Sequence, residues 1–131
     1  MTAMWSVQKG VYTALASNST FMAKISNNLY DEPPTNQAYP YVTIGSMTEA
    51  NNNRLNKTGF YVTLEMMIFT KNGRGGFKLA KEILELTNNV INLNTFSIDG
   101  YTNVQCFYRY SNTERDEDKH IITANYDIIC H

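Results

Sequence analysis

Leu29-Tyr30-Asp31-Glu32-Pro33-Pro34, continued by Ala38-Tyr39-Pro40-Tyr41-Val42-Thr43-Ile44-Gly45, is the stretch that decides how the chain divides. The paired prolines end one element and forbid a helix across them, because a residue before proline avoids the helical region. Pro40 donates no backbone hydrogen bond, so the alternating segment from Tyr39 to Met47 starts at Pro40 or lies at a sheet edge. Within it Val42 and Ile44 face one way, Tyr41 and Thr43 the other.

Upstream, Met4 to Ala16 has helical spacing, with Met4, Val7, Val11 and Leu15 recurring beside Trp5 and Tyr12. Ser17-Asn18-Ser19 breaks it, and Ser19 or Thr20 can cap a short second helix holding Phe21, Met22 and Ile25. Downstream, the polar run Thr48 to Lys57 reads as a hairpin loop. Gly59 to Thr70 is the longest strand, with Phe60, Val62, Leu64, Met66 and Ile68 on one face. The other face, Tyr61, Thr63, Glu65, Met67 and Phe69, is mixed, as expected of a surface half exposed or covered by a partner. A glycine-rich turn, Lys71 to Gly76, leads to a helix over Phe77 to Leu93. Its stripe is Leu79, Ala80, Ile83, Leu84, Thr87, Val90 and Ile91. Phe96 to Ile98 reads as a short strand. Val104 to Tyr110 is a strand with Val104, Cys106, Tyr108 and Tyr110 on one face, Ser111 to Lys119 a charged loop, and Ile121 to Cys130 the last strand.

The order α-α-β-β-α-β-β-β predicts an α+β fold: a mostly antiparallel sheet with two main helices packed on one face. No repeat or linker divides the 131 residues, so 1–131 is expected to be a single domain, long enough to bury its own core. A hairpin turning about residues 114–115 would put Cys106 near Ala124 and Cys130 roughly 20 Å away. A disulfide needs Cα atoms within about 7 Å, which predicts two free thiols.

Composition narrows function. A net charge of −1 argues against a dedicated nucleic-acid binder. Charged residues are only 18% of the chain, and a weakly charged polar surface is easier to bury against a partner. The start Met1-Thr2-Ala3-Met4-Trp5 has no basic region followed by an apolar stretch, and no run is long enough to cross a bilayer. The chain is expected to be made in a cytoplasm.

Chemistry-bearing patterns are sparse. His120 follows Glu114, Asp116, Glu117 and Asp118, which in principle suits acid–base or metal work, but reads better as a solvated loop broken by Arg115 and Lys119. Gly73-Arg74-Gly75-Gly76 lacks the Gly-Lys-Ser/Thr ending of a phosphate loop. Neither cysteine sits in a Cys-x-x-Cys pair. No catalytic residue, cofactor or metal is expected.

Taken in order, the pieces carry a resemblance. Val11-Tyr12-Thr13-Ala14-Leu15 on the first helix is followed by Leu29-Tyr30-Asp31-Glu32-Pro33-Pro34 and by the strand Tyr39-Pro40-Tyr41-Val42-Thr43-Ile44-Gly45. Then come the long strand, the glycine turn, the helix Leu79-Ala80-Lys81-Glu82-Ile83-Leu84, and Asp116-Glu117-Asp118-Lys119-His120-Ile121-Ile122. This ordered set resembles the small tail-completion (tail-terminator) proteins of long-tailed, siphovirus-like bacteriophages. The resemblance implies a structural virion protein, not an enzyme. It would form a hexameric ring at the head-proximal end of the tail tube, stop tube growth and join the tail to the head. Implied partners are sister copies, the tail tube protein and the head–tail connector or neck protein, with no membrane and no specific nucleic acid. The implied place is the virion, in the phage tail or neck.

Candidate assembly contacts are Glu49, Asn51, Asn52, Asn53 and Arg54 in the first loop and Arg115, Asp116 and Glu117 in the second, since loops commonly carry such function. Tyr41 and Thr43 join them on the edge strand, where pairing across subunits is available. Other readings are a head-completion or neck adaptor, a tube subunit, and, from a different class, a small hydrolase using His120 with Asp116 or Asp118.

Overall fold

The computed structural model describes residues 3–35, 37–51, 59–71, 77–92, 98, 100–101, 104–116 and 118–130. Helices α1 (Met4–Ala16) and α2 (Ser19–Lys24) precede strands β1 (Leu29–Tyr30), β2 (Tyr41–Asn51) and β3 (Phe60–Lys71); α3 (Lys78–Ile91), β4 (Val104–Asp116) and β5 (Lys119–Cys130) follow. The strands form one sheet in the order β1-β2-β3-β5-β4, antiparallel throughout except that β1 lies parallel to β2. The expected α+β class stands.

The central strand β3 explains the layering. Phe60, Val62, Leu64, Met66 and Ile68 are buried while the residues between them are half-buried, the alternation its sequence predicts. Ile122, Ala124, Tyr126, Ile128 and Cys130 continue that apolar face on β5, and the helices close over it with Val7, Val11, Leu15, Phe21, Ala80, Ile83 and Ile91. Each fully buried aliphatic side chain there contributes about 1.5–3 kcal/mol of transfer free energy. Two polar groups inside are paired through α3. Thr87 Oγ1 donates to the Ile83 carbonyl at 2.9 Å, and the fully buried Tyr126 hydroxyl donates to Asn88 Oδ1 on α3. Leu79, placed in the apolar stripe from spacing, is exposed.

Local chemistry sets the joints. Asn18, not Ser19 or Thr20, is the cap of α2: its Oδ1 accepts the Phe21 N–H at 2.9 Å. Ser26 and Asn27 then take positive φ, and the Asn27 N–H returns to the Met22 carbonyl at 2.8 Å, ending the helix. The chain emerges as β1. Asn28 ties the proline-rich connection back, its Nδ2 donating to the Pro40 carbonyl at 3.1 Å. Gly45 sits at a bulge between Ile44 and Met47, where a Cβ would lie 2.9 Å from the Glu65 carbonyl oxygen. Only glycine permits that approach without a shift.

Several expectations are corrected. Thr48 to Asn51 extend β2 instead of opening a loop, and Ser111 to Asp116 extend β4. Polar side chains do not prevent this, because each backbone finds a ladder partner on β3 or β5. The β4–β5 turn therefore falls after Asp116, and Cys106 pairs with Ile128, not with Ala124. Cys130 lies one diagonal step from Cys106, about 7–8 Å by sheet geometry and at the outer limit for a disulfide. Both thiols are free and buried, as predicted, though not through the predicted separation. A second bulge between Tyr108 and Tyr110 turns Tyr110 to the opposite face from Val104, Cys106 and Tyr108. Ile98 is buried but outside any strand; the rest of that expected strand, and the glycine turn at 72–76, lie outside the described residues.

Candidate assembly surface

Among the described residues the sheet has a bare face and two open edges. At one edge β1 covers only Val42 and Thr43 of β2; among the described residues nothing pairs with that side of β2 from Ile44 to Asn51. At the other edge β4 pairs with β5 alone, along its whole length. The expected edge segment from Pro40 to Ser46 is thus half covered, and the open stretch begins where β1 ends.

The candidate contacts fall in different places. Tyr41 is on the bare face, its ring 4.6 Å from that of Phe69 and 5.5 Å from that of Tyr39, and burial raises its phenol pKa above the ordinary value. Thr43 is buried on the same face, opposite Met67. Glu49 faces the helices and accepts the backbone N–H of Ala3, the N-cap residue just before α1, so its carboxylate also complements the helix dipole. Asn51 ends β2 opposite Phe60; Asn52, Asn53, Arg54 and Glu117 lie outside the described residues. Arg115 stacks its guanidinium 5.2 Å from the Phe77 ring centroid, and Asp116 lies 3.8 Å from Lys119 Nζ.

The bare face holds a polar cluster that sequence reasoning missed. Asp127 on β5 is buried and accepts from the Tyr61 hydroxyl at 2.5 Å, from Thr63 Oγ1 at 3.4 Å and from the Arg109 guanidinium. The bulge on β4 places Arg109 for this contact. Hydrogen bonding to Asp127 raises the Tyr61 and Arg109 pKa values, the response expected beside an ionised carboxylate. With Tyr110 and Asn125 these groups line a cleft of about 270 Å³. The available signal was the cross-strand placement of Tyr61, Thr63 and Asp127, which needs the register.

Exposed aromatic residues collect at the two ends of the sheet. Trp5 and Tyr12 on α1 are 64% and 44% exposed and line a cleft of about 350 Å³ with Asp31 and Ile44, beside the open edge of β2. Phe107 and Tyr110 stand on β4, 36% and 56% exposed.

The structure does not bring His120 and Asp116 together as one form of the hydrolase reading needs. His120 is buried under α3's approach, its ring stacked 4.3 Å from that of Phe77, not in a solvated loop. It pairs with Arg115 and Thr70 on the helix-covered face, whereas Asp116 pairs with Lys119, whose side chain is on the bare face. Buried atoms without a hydrogen-bond partner among the described residues include His120 Nδ1 and Thr70 Oγ1. No group of three or more His, Cys, Asp and Glu among the described residues is placed to hold a metal ion. No helix among them is long and apolar enough to cross a membrane.

Comparisons with known proteins agree with this architecture. A chain of the virion of a native gene transfer agent (GTA) particle superposes with a TM-score of 0.87 at 19% identity, covering 98% of this chain and 96% of that one, and so shares its fold. Comparison with curated protein sequences gives no match. The model of the family described as tail completion protein gp17 matches residues 9–131. That match over nearly the whole chain leads to one statement: the chain belongs to the tail completion protein gp17 family, a structural part of the phage tail.

Proposed function

We propose that this protein caps the head-proximal end of the phage tail tube by closing into a ring of its own copies, hexameric by family resemblance, and that it joins the tail to the head. The observation that supports this reading best is the sheet with an unpaired edge at each end. Such edges template pairing with another chain unless they are blunted, and a head-to-tail interface whose rotation closes makes a ring. The tube protein and the head–tail connector are the partners on the two ring faces. Asn51 at the end of β2 and Arg115 and Asp116 at the end of β4, together with Asn52, Asn53, Arg54 and Glu117 next to them in sequence, are the contacts to those partners. Tyr41, Thr43 and Glu49 support them from the sheet.

The test is removal of the gene from its phage, followed by electron microscopy of the lysate. Tails without heads, or tails of uncontrolled length, are expected. Infectious particles of normal length would overturn the reading. Deleting Asn51 to Asn53 should leave the fold intact and impair joining, which normal virions would contradict.

A further inference from the structure

We infer that the ring seam is a strand pairing between the β4 edge of one copy and the β1–β2 edge of the next, antiparallel, so that the sheets run on from subunit to subunit. The inference rests on the ring reading above and names the surface that builds it.

Strand direction comes first. From β2 to β3 to β5 to β4 there are three antiparallel steps, so β4 runs opposite to β2, and β1 runs with β2. When a second copy continues the sheet with its helices on the same side, its β1–β2 edge meets β4 in antiparallel orientation. That is the more stable pairing. β1 already fills the lane beside Val42 and Thr43, so direct β4–β2 pairing is confined to Ile44 to Asn51 of β2.

Side chains along the two edges match this seam. The 13 residues of β4 contain no proline and no lysine, two of the residues that blunt an edge, and Ile44 to Asn51 contain neither; each strand carries one bulge, and the charges of β4 gather at its far end except for Arg109, which is tied to Asp127. On the bare face β4 offers exposed large rings, Phe107 and Tyr110. The open part of β2 offers exposed small residues, Ser46, Thr48 and Ala50. Phe107 lies on the same cross-strand line as Thr48, through Asp127 and Thr63, so a seam made by Val104 to Ser111, the part of β4 clear of β1, sets the ring over the small residue when unstaggered. On the helix side, Trp5 and Tyr12 overhang the β2 edge and would cover the helix-side residues of the incoming strand, Tyr108 and Ser111. Large exposed aromatics at both edges, with a small-residue strip facing one set, fit a second copy of this chain.

The experiment is site-directed cross-linking in assembled phage. Thr48→Cys is paired in turn with Gln105→Cys, Phe107→Cys and Tyr110→Cys, three positions on the same face that allow for stagger. The native thiols are buried and give a low background. Mild oxidation should link copies into dimers and higher ladders in at least one pair, and in no single variant. Particles that carry the protein but link in none of the three would overturn the seam while leaving the ring reading intact. Absence of the protein from particles would overturn the ring reading itself. Tyr110→Lys, which places a charge at the seam, should melt like the parent and fail to incorporate; normal incorporation would also overturn the seam.

Discussion

β3 presents Leu64 to the helices and Glu65 to the bare face, and the contrast between these two sides runs across the whole sheet. The covered side is largely apolar and held by burial, with the Tyr126 hydroxyl tied to α3 and the buried Thr70 Oγ1 and His120 Nδ1 without a partner among the described residues. The bare side mixes aromatic, threonine and carboxylate residues and is organised by the Asp127 cluster. One face makes the subunit stable. The other, with the edges, has composition to spare for partners, because its hydrogen bonds are satisfied within the sheet and little charge remains to be stripped of water.

The largest effect should come from the covered side. Leu64→Ala removes a fully buried side chain from the central strand and should cost about 2–5 kcal/mol by denaturant unfolding. A cost no greater than that of a bare-face truncation would dissolve the contrast. Alkali attacks the same side. Burial pushes the Cys106 thiol from its ordinary 9.0 up to about 12, and burial raises Tyr126 as well. Raised folded-state values mean stability is full below about pH 9 and is lost as pH climbs towards 12. Thermal melts from pH 8 upward should show this fall, and Cys106→Ala should flatten it.

At the bulge, Gly45→Ala forces a methyl against the Glu65 carbonyl and should cost about 1–3 kcal/mol, read as a lower melting temperature. On the bare face, Tyr61→Phe removes one hydrogen bond to Asp127 and should cost about 1 kcal/mol. Combined with Asp127→Asn it should be non-additive in a double-mutant cycle; strict additivity would show that the cluster does not act as a unit. The smallest stability effect belongs to Phe107→Ala, within about 0.5 kcal/mol for an exposed site, while its incorporation into particles should drop. That separation of folding from assembly is the sharpest form of the contrast.

The covered side was readable from residue order, because strand alternation and helical spacing are local periodicities. The alternation of β3, the aligned face of β5 and the helix expected over Phe77 to Leu93, observed at Lys78–Ile91, all follow from it. Elements whose existence depends on a distant partner were less visible. Ser111 to Asp116 read as loop because their side chains are polar, yet β5 supplies the ladder that makes them strand. β1 is two residues long and exists only because β2 accepts it in parallel. The candidate surface divides the same way. Tyr41 and the residues between strands stand out from their place on an expected edge strand or loop, whereas Arg109, Asp127, Trp5 and Phe107 acquire meaning only through the strand register and order.

By itself the sequence determined which residues are apolar, at what period, and where proline and asparagine interrupt them; that suffices for the α+β class and for the ordered pattern shared with its family. Tertiary structure decided the strand order, the two bulges, the pairing of Tyr61 and Arg109 with Asp127, and which edges stay open. These depend on contacts between residues tens of positions apart. Their free energy comes from backbone ladders and side-chain burial that form only when distant segments meet, and a local period carries no record of which segments those will be.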